Sequence, residues 1–190
     1  MQRKFKIAML GTAGTGRTTV ALEISKKLNI PFLASSSITK PILERDGFSY
    51  SSGLFVEKFL SVKNRELEII GKKIELESHC DEFITDRTTL DNFAYLFLNI
   101  EQYSDVEVEQ VRKLCFDNMC KYSHLFYFSR TNKPIKNNGV RTVNKWFQMQ
   151  VDFIIQGLVK EWDITAYEVV NMDEKQSVEF ILKTLEVKSE

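Results

Sequence analysis

The sequence predicts an α/β fold in which a parallel sheet is covered by helices on both faces. Three features of the chain lead to this prediction. Short apolar runs alternate with longer segments of helical periodicity, which is typical of parallel sheets. The first apolar run, 5–10, enters a glycine-rich turn at 11–19 with the sequence GTAGTGRTT. A helical pattern begins within that turn, so strand, turn and helix follow one another directly.

Five apolar runs predict the strands of the sheet. They lie at 5–10, 30–35, 82–86, 124–129 and 164–170. Because right-handed crossovers connect parallel strands, we expect ligands to bind at the carboxyl edge of the sheet.

The helices are predicted from apolar residues at helical spacing and from capping residues. The first helix, 18–28, carries one apolar stripe, formed by Val20, Ala21, Ile24 and Leu28. The second starts at Thr39-Lys40-Pro41 and ends near Asp46-Gly47. The further helical segments are 54–79 with a break near Ser61–Asn64, 89–101, one opening at the capping box Ser104–Glu107, one from Thr142 to about Trp162, and 174–186.

A polar loop at about 130–142 interrupts this regular alternation. It follows the fourth strand and contains a proline, a glycine and two arginines. A loop in that place predicts a small lid over the sheet edge. We treat 1–190 as a single domain, because 190 residues suffice for one full hydrophobic core.

Composition narrows the class of protein. Apolar residues make up 43% of the chain and charged residues 27%, which is ordinary for a globular protein. The 26 basic residues balance 26 acidic ones, so a nucleic acid partner is not favoured, although a local basic groove stays open. No signal peptide, membrane span or disulfide framework is expected, and the default location is cytoplasmic. The oligomeric state is left open.

The turn at 11–19 matches the phosphate-binding template G-x-x-x-x-G-K-[ST], except that Arg17 stands in place of lysine. Its amides and the start of the following helix predict a nucleotide-binding site. The residues predicted to contact the nucleotide are Gly11, Thr12, Ala13, Gly14, Thr15, Gly16, Arg17, Thr18 and Thr19. The hydroxyl of Thr18 is the predicted ligand of Mg²⁺.

Asp86, which closes the third predicted strand, is the candidate acid of the site. It is predicted either to hold Mg²⁺, in part through water, or to receive the proton of an acceptor hydroxyl. A third alternative is a helix N-cap for the segment that begins near Thr88.

Cations around this edge are candidates for binding and catalysis. Arg17, Arg87 and Arg141 are predicted to act on the transferred phosphoryl group or the substrate, and Arg130 to contact the nucleotide. The alternative is a surface ion pair for Arg87 and a solvated loop arginine for Arg130 and Arg141. Asp91, one helical turn after Arg87, is expected either to hold that guanidinium or to form an exposed pair with it. The loop 45–53 offers Phe48 and Tyr50 for stacking on a ring or for the core.

Three segments together resemble a known family. They are GTAGTGRTT at 11–19, DRTTLDNFAYL at 86–96 and NNGVRTVNKWFQMQVDFII at 137–155. They are similar to the small AAA-type P-loop ATPase family that includes nicotinamide riboside kinase domains and phage-encoded relatives. The strand-end Asp-Arg pair is also similar to that of deoxynucleoside kinases. The family motif close to D-R-[TS]-x-x-D is matched by Asp86, Arg87, Thr88 and Asp91, and a lid motif similar to D-G-x-R by Gly139 and Arg141.

The resemblance implies a three-layer P-loop NTPase fold with a five-stranded sheet ordered 2-3-1-4-5. It also implies an ATP- and Mg²⁺-dependent kinase acting on a nucleoside, a nucleotide or a similar small molecule. Two charged positions depart from the family pattern, because Arg17 replaces lysine and Asn138 replaces an acid. The alternatives are a kinase acting on a nucleic acid 5′ end or hydroxylated base, and a non-catalytic ATP-binding regulatory module in which Arg17 has slowed or ended transfer.

Overall fold

The structure is a computed structural model that describes residues 4–47, 63–130 and 144–186. Its sheet consists of β1 (Lys6–Leu10), β2 (Phe32–Leu33), β3 (Phe83–Thr85), β4 (His124–Phe128) and β5 (Tyr167–Val169). All neighbouring strands pair in parallel, and their order is β2-β3-β1-β4-β5. This confirms the predicted parallel sheet and its strand order, although each strand is shorter than the apolar run that predicted it.

Seven α-helices lie in the described part of the chain. They are α1 (Arg17–Leu28), α2 (Ser36–Arg45), α3 (Arg65–Ser78), α4 (Thr89–Phe97), α5 (Asp105–Met119), α6 (Lys145–Glu161) and α7 (Glu174–Thr184). A 3₁₀ turn, Ile100–Gln102, lies between α4 and α5.

The two faces of the sheet each carry a hydrophobic core. In β1, Ala8 and Leu10 face the core formed with α3, α4, α5 and α6, whereas Ile7 and Met9 face the core formed with α1 and α7. This alternation follows from the period of two in a strand. The chain therefore has three layers, with the sheet between two layers of helices.

Some helix boundaries differ from the sequence prediction. Helix α2 begins at Ser36 rather than Thr39, and Pro41 lies inside it. A proline there removes only its own N–H donor, and the bonds from Ser37, Ile38 and Thr39 back to 34 and 35 still start the helix.

Further helix ends agree with the prediction or differ from it. Helix α3 starts after Asn64, which has a φ of 73° and belongs to the predicted break at Ser61–Asn64, whereas α4 stops at Phe97 rather than at 101. Helix α6 starts at Lys145, because Asn144 accepts hydrogen bonds from the amides of Trp146 and Phe147.

Several predictions fall on residues that the structure does not describe. Residues 48–62 include the two candidate stacking aromatics and most of the segment before α3, and 131–143 include the predicted lid beyond Arg130. Among the residues that are described, no helix is long and apolar enough to cross a membrane.

Candidate functional site

The glycine-rich loop leaves the carboxyl end of β1 and runs directly into α1. Gly11 has a φ of +135°, and a Cβ there would lie 2.5 Å from the carbonyl oxygen of Phe128 on β4. Only glycine fits so close an approach. Gly16 has a φ of +90° and precedes α1 without capping it by a side chain. The amides at the start of α1 therefore remain available to an anion.

Thr18 and Asp86 meet beside this loop. The Thr18 hydroxyl donates to Asp86 Oδ2 at 2.6 Å, and the amide of Ser35 donates to Asp86 Oδ1 at 2.9 Å. Burial raises the pKa of Asp86, but the hydrogen bonds from Thr18 and Ser35, together with the charge of Arg17, outweigh that effect and leave the pKa below its ordinary value. Asp86 is therefore ionised at neutral pH, in the position that the sequence predicted for it.

The donor set of Thr18 and Asp86 fits Mg²⁺. Both supply oxygen atoms, which this ion prefers, and their hydrogen-bond distance lets one ion contact both. Magnesium sites of this kind use one or two protein ligands and complete the octahedron with water and substrate phosphates. The two residues could hold the ion together with a bound nucleotide.

Arg17 is buried beneath the loop. Its exposed fraction is 6%, and Nη1 lies 2.9 Å from Asp91 Oδ1. Nη2 donates to the carbonyl oxygen of Thr12 at 3.3 Å, and Nη1 also faces the carbonyl oxygen of Met9 at 3.5 Å. In the described chain, the acceptors of the guanidinium thus belong to β1, to the glycine-rich loop and to α4.

Two sequence predictions about this region are wrong. Asp86 is not an N-cap, because Thr88 caps α4 and Asp91 completes the capping box. Asp91 is buried rather than exposed. It does not hold Arg87, because its Oδ1 accepts from Gly11 and Arg17 and its Oδ2 accepts from Thr88. The guanidinium of Arg87 instead lies over the ring of Tyr95, 5.0 Å from its centroid.

A second carboxyl lies near Arg87 and was missed by the sequence analysis. Glu66, in the first turn of α3, accepts a hydrogen bond from the side-chain Nδ2 of Asn92 at 3.2 Å. Burial raises the pKa of Glu66 to about 7, and the bond from Asn92 and the charges of Arg87 and Arg65 offset only part of that effect. The signal was local, since Glu66 precedes the buried pair Ile69 and Ile70 at helical spacing.

Gln148 is another contact that the sequence analysis did not predict. Its Nε2 donates to the carbonyl oxygen of Ala13 at 2.6 Å, so α6 supports the glycine-rich loop from the side. Gln148 occupies a core-facing position with Val151, Asp152 and Ile155. A polar residue on an apolar stripe was the available signal.

The predicted cations are only partly described. Arg130 follows β4 by two residues and is half-buried, at the same edge of the sheet as the loop. Arg141, Asn138 and Gly139 lie outside the described residues, so their predicted roles stay predictions.

The sequence profile of an AAA domain family matches residues 6–177, which is most of the chain. The chain belongs to this AAA domain family. The match spans all five strands and includes the glycine-rich loop and the Asp86-Arg87 pair, which confirms the resemblance found in the sequence.

One curated protein with a similar sequence is cytidylate kinase from Methanobrevibacter smithii. The two sequences are 38% identical over 80 residues, which is 42% of this chain and 45% of the relative. The matched part thus spans less than half of that curated relative.

Solved structures support the fold over nearly the whole chain. Deoxyadenosine kinase from M. mycoides, with dATP bound, has a TM-score of 0.66 at 20% identity and covers 96% of this chain and 99% of its own. NadR protein in complex with NR has a TM-score of 0.73 at 12% identity, covering 98% of this chain and 53% of its own. At these identities the likeness shows the fold alone. The chain has the P-loop kinase fold.

Proposed function

We propose that the protein is an ATP-dependent kinase that phosphorylates a nucleoside, a nucleotide or a similar small molecule. The observation that carries this proposal is the meeting of Thr18 and Asp86, 2.6 Å apart, beside a glycine-rich loop and an uncapped helix start. A phosphate cradle next to a magnesium-binding acid is the arrangement that phosphoryl transfer requires. The names of the relatives support it, because they are a cytidylate kinase and a deoxyadenosine kinase.

In this proposal the loop 11–16 and the first amides of α1 bind the phosphates of ATP. Thr18 and Asp86 hold Mg²⁺, which when bound neutralises charge on the phosphates. The lowered pKa of Asp86 keeps it anionic at neutral pH, which suits a metal ligand better than a base, because a carboxylate of low pKa takes up a proton weakly. The role as base would place the acceptor hydroxyl next to Asp86, whereas the role as metal ligand places the phosphates of ATP there.

The acceptor is proposed to bind between 44–55, the Asp86-Arg87 pair and the loop 130–142. One buried polar atom on α4, Asn92 Oδ1, has no hydrogen-bond partner within the described part of the chain. A buried polar atom without a partner is costly, so a polar ligand is favoured there. Arg87, together with Arg130 and Arg141, is proposed to stabilise charge on the substrates.

Nucleotide-dependent turnover tests the kinase proposal. ADP formation from ATP and Mg²⁺ is measured across a panel of nucleosides, nucleotides and nicotinamide riboside. We expect one acceptor class to stimulate it, and Asp86→Asn to lower the stimulated rate by about 100-fold or more, because the variant weakens the metal site. Asp81→Asn, which changes an exposed carboxylate before the amino end of β3, should leave the rate unchanged. A panel without any stimulating acceptor would contradict the proposal.

A second candidate is a nucleotide-binding module without transfer. The burial of Arg17 against Asp91 favours it, since a guanidinium held by a carboxylate is not free to follow a moving phosphoryl group. Here ATP would raise the melting temperature, yet no acceptor in the panel would increase ADP formation. Acceptor-dependent ADP formation excludes this candidate.

A further inference from the structure

Asp91 ties the start of α4 to both ends of the glycine-rich loop. Its Oδ1 accepts from the amide of Gly11 and from Arg17 Nη1, each at 2.9 Å. Its Oδ2 accepts from the amide of Thr88 at 2.7 Å and from the Thr88 hydroxyl at 2.6 Å. One buried carboxylate thus contacts the residue where the loop begins and the residue directly after it ends.

Arg17 extends this contact across the loop. While Nη1 binds Asp91, Nη2 donates to the carbonyl oxygen of Thr12 at 3.3 Å. A planar guanidinium can donate in two directions at once, whereas an ammonium is a compact point charge on a flexible stem. The arginine in this chain therefore matches the pair of acceptors, Asp91 and Thr12, that the fold presents beneath the loop.

The pair is also confined by its burial. Arg17 is 6% exposed and Asp91 is fully buried, so moving the guanidinium out to a phosphate would leave the Asp91 carboxylate without its counter-charge. Removing one partner of a buried ion pair is strongly unfavourable. The arrangement opposes a swing of Arg17 toward a nucleotide.

We propose that Arg17 is a positioning residue rather than a phosphate ligand. With Asp91 it forms a clamp that sets the shape of the loop 11–16, and the loop amides contact the phosphates. This inference rests on the nucleotide binding in the proposed function, but not on phosphoryl transfer. The β-phosphate and the γ-phosphate then depend on the clamp in the same way, because both meet the loop and neither meets the guanidinium.

Calorimetry with ADP and with AMP-PNP, each with Mg²⁺, tests the clamp. We expect Asp91→Asn and Arg17→Gln each to weaken both nucleotides by about tenfold, with the ratio of the two affinities unchanged. The double variant should bind no more weakly than the weaker single variant, because either change alone already opens the clamp. Arg112→Gln, which breaks an exposed arginine–carboxylate pair on α5, is the matched control and should change neither affinity.

Three results would overturn the clamp. They are a selective loss of AMP-PNP affinity in Arg17→Gln, tighter AMP-PNP binding in Asp91→Asn, and additive losses in the double variant. If the single variants do not fold, the double variant is used, because it has no unpaired buried charge. Its ratio of ADP affinity to AMP-PNP affinity should then equal that of the wild type. A wild-type protein that binds neither nucleotide would overturn the proposed function as well, and a melting curve shows whether each variant is folded.

Discussion

Asp86 and Glu66 show how the surroundings of a single residue set its charge. Both are buried carboxyls near Arg87, and burial raises the pKa of each. Asp86 accepts two short hydrogen bonds, from Thr18 and Ser35, which together with the charge of Arg17 bring its pKa below the ordinary value. Glu66 accepts one longer bond, from Asn92, and its pKa remains at about 7. The hydrogen bonds and charges around each carboxyl therefore separate an anion from a titrating acid.

The raised pKa of Glu66 should make the protein less stable as pH rises from 4.5 to 7. In this window the native state binds a proton that the unfolded state has released, so the contribution is fully present below pH 4.5 and is lost as pH passes 7. Glu66→Gln keeps an acceptor for Asn92. The variant should lack the fall in unfolding free energy, about 3 kcal/mol, that the wild type shows across this pH window. Urea unfolding across this window measures it.

Glu75→Gln serves as the control for that experiment, because Glu75 is an exposed carboxyl on the same helix. It should keep the wild-type dependence of stability on pH. Identical dependence in the wild type and in Glu66→Gln would show that Glu66 is not the titrating group.

Among the elements, the starts of five helices are of two kinds. Capping boxes begin α4 at Thr88, α5 at Ser104 and α7 at Asp173. Helices α1 and α3 begin after residues with positive φ, Gly16 and Asn64, and have no side-chain cap. The uncapped start of α1 faces the glycine-rich loop. The box of α4 differs from the other two because its acid, Asp91, also binds that loop.

This difference predicts unequal effects of removing two capping hydroxyls. Thr88→Val should cost about 1 to 2 kcal/mol of unfolding free energy and also weaken nucleotide binding, because Asp91 loses a donor that holds it in place. Ser104→Ala, at the exposed start of α5, should cost about 1 kcal/mol and leave nucleotide binding unchanged. Denaturant unfolding and calorimetry measure the two quantities. Equal nucleotide affinity in both variants would show that the cap of α4 does not affect nucleotide binding by the loop.

At the scale of the whole molecule, a buried polar network joins α3, α5 and the sheet. Lys73 Nζ contacts Glu77 Oε1 at 2.6 Å and donates to Thr85 Oγ1 on β3 at 2.9 Å. Glu77 also accepts from Asn118 and Tyr122, each at 2.8 Å. Thr85 in turn bonds the carbonyl oxygens of residues 33 and 87. The network therefore supports the turn that carries Asp86.

Loss of the buried lysine should destabilise the entire fold. Lys73→Met leaves the Glu77 carboxylate buried without its counter-charge, which is expected to cost about 3 to 5 kcal/mol. Lys72→Met changes the adjacent lysine, which is exposed and bonds Glu68 at 3.0 Å, and should cost less than about 1 kcal/mol. Chemical denaturation measures both. Comparable losses in the two variants would indicate that the ion pair with Glu77 contributes little.

Local patterns in the sequence were enough to predict the strand–loop–helix unit, the parallel sheet and the meeting of Thr18 with Asp86. Each of these follows from short-range spacing: apolar runs for strands, glycines for the loop, and strand ends that parallel pairing brings to one edge. The order of the strands came from the resemblance to the family. Helix ends were less predictable, because single caps such as Asn144 decide them.

Only the tertiary structure decided which partner each buried charge takes. Arg17 pairs with Asp91, 74 positions away in the chain, and Gln148 reaches Ala13 across 135 positions. Helical spacing pointed instead to a contact between Asp91 and Arg87, since it describes only neighbours within one helix. The sequence by itself determined that an arginine follows the glycine-rich loop. Packing of α4 against that loop determined what the arginine binds, because a buried cation takes the counter-charge that the fold brings within reach.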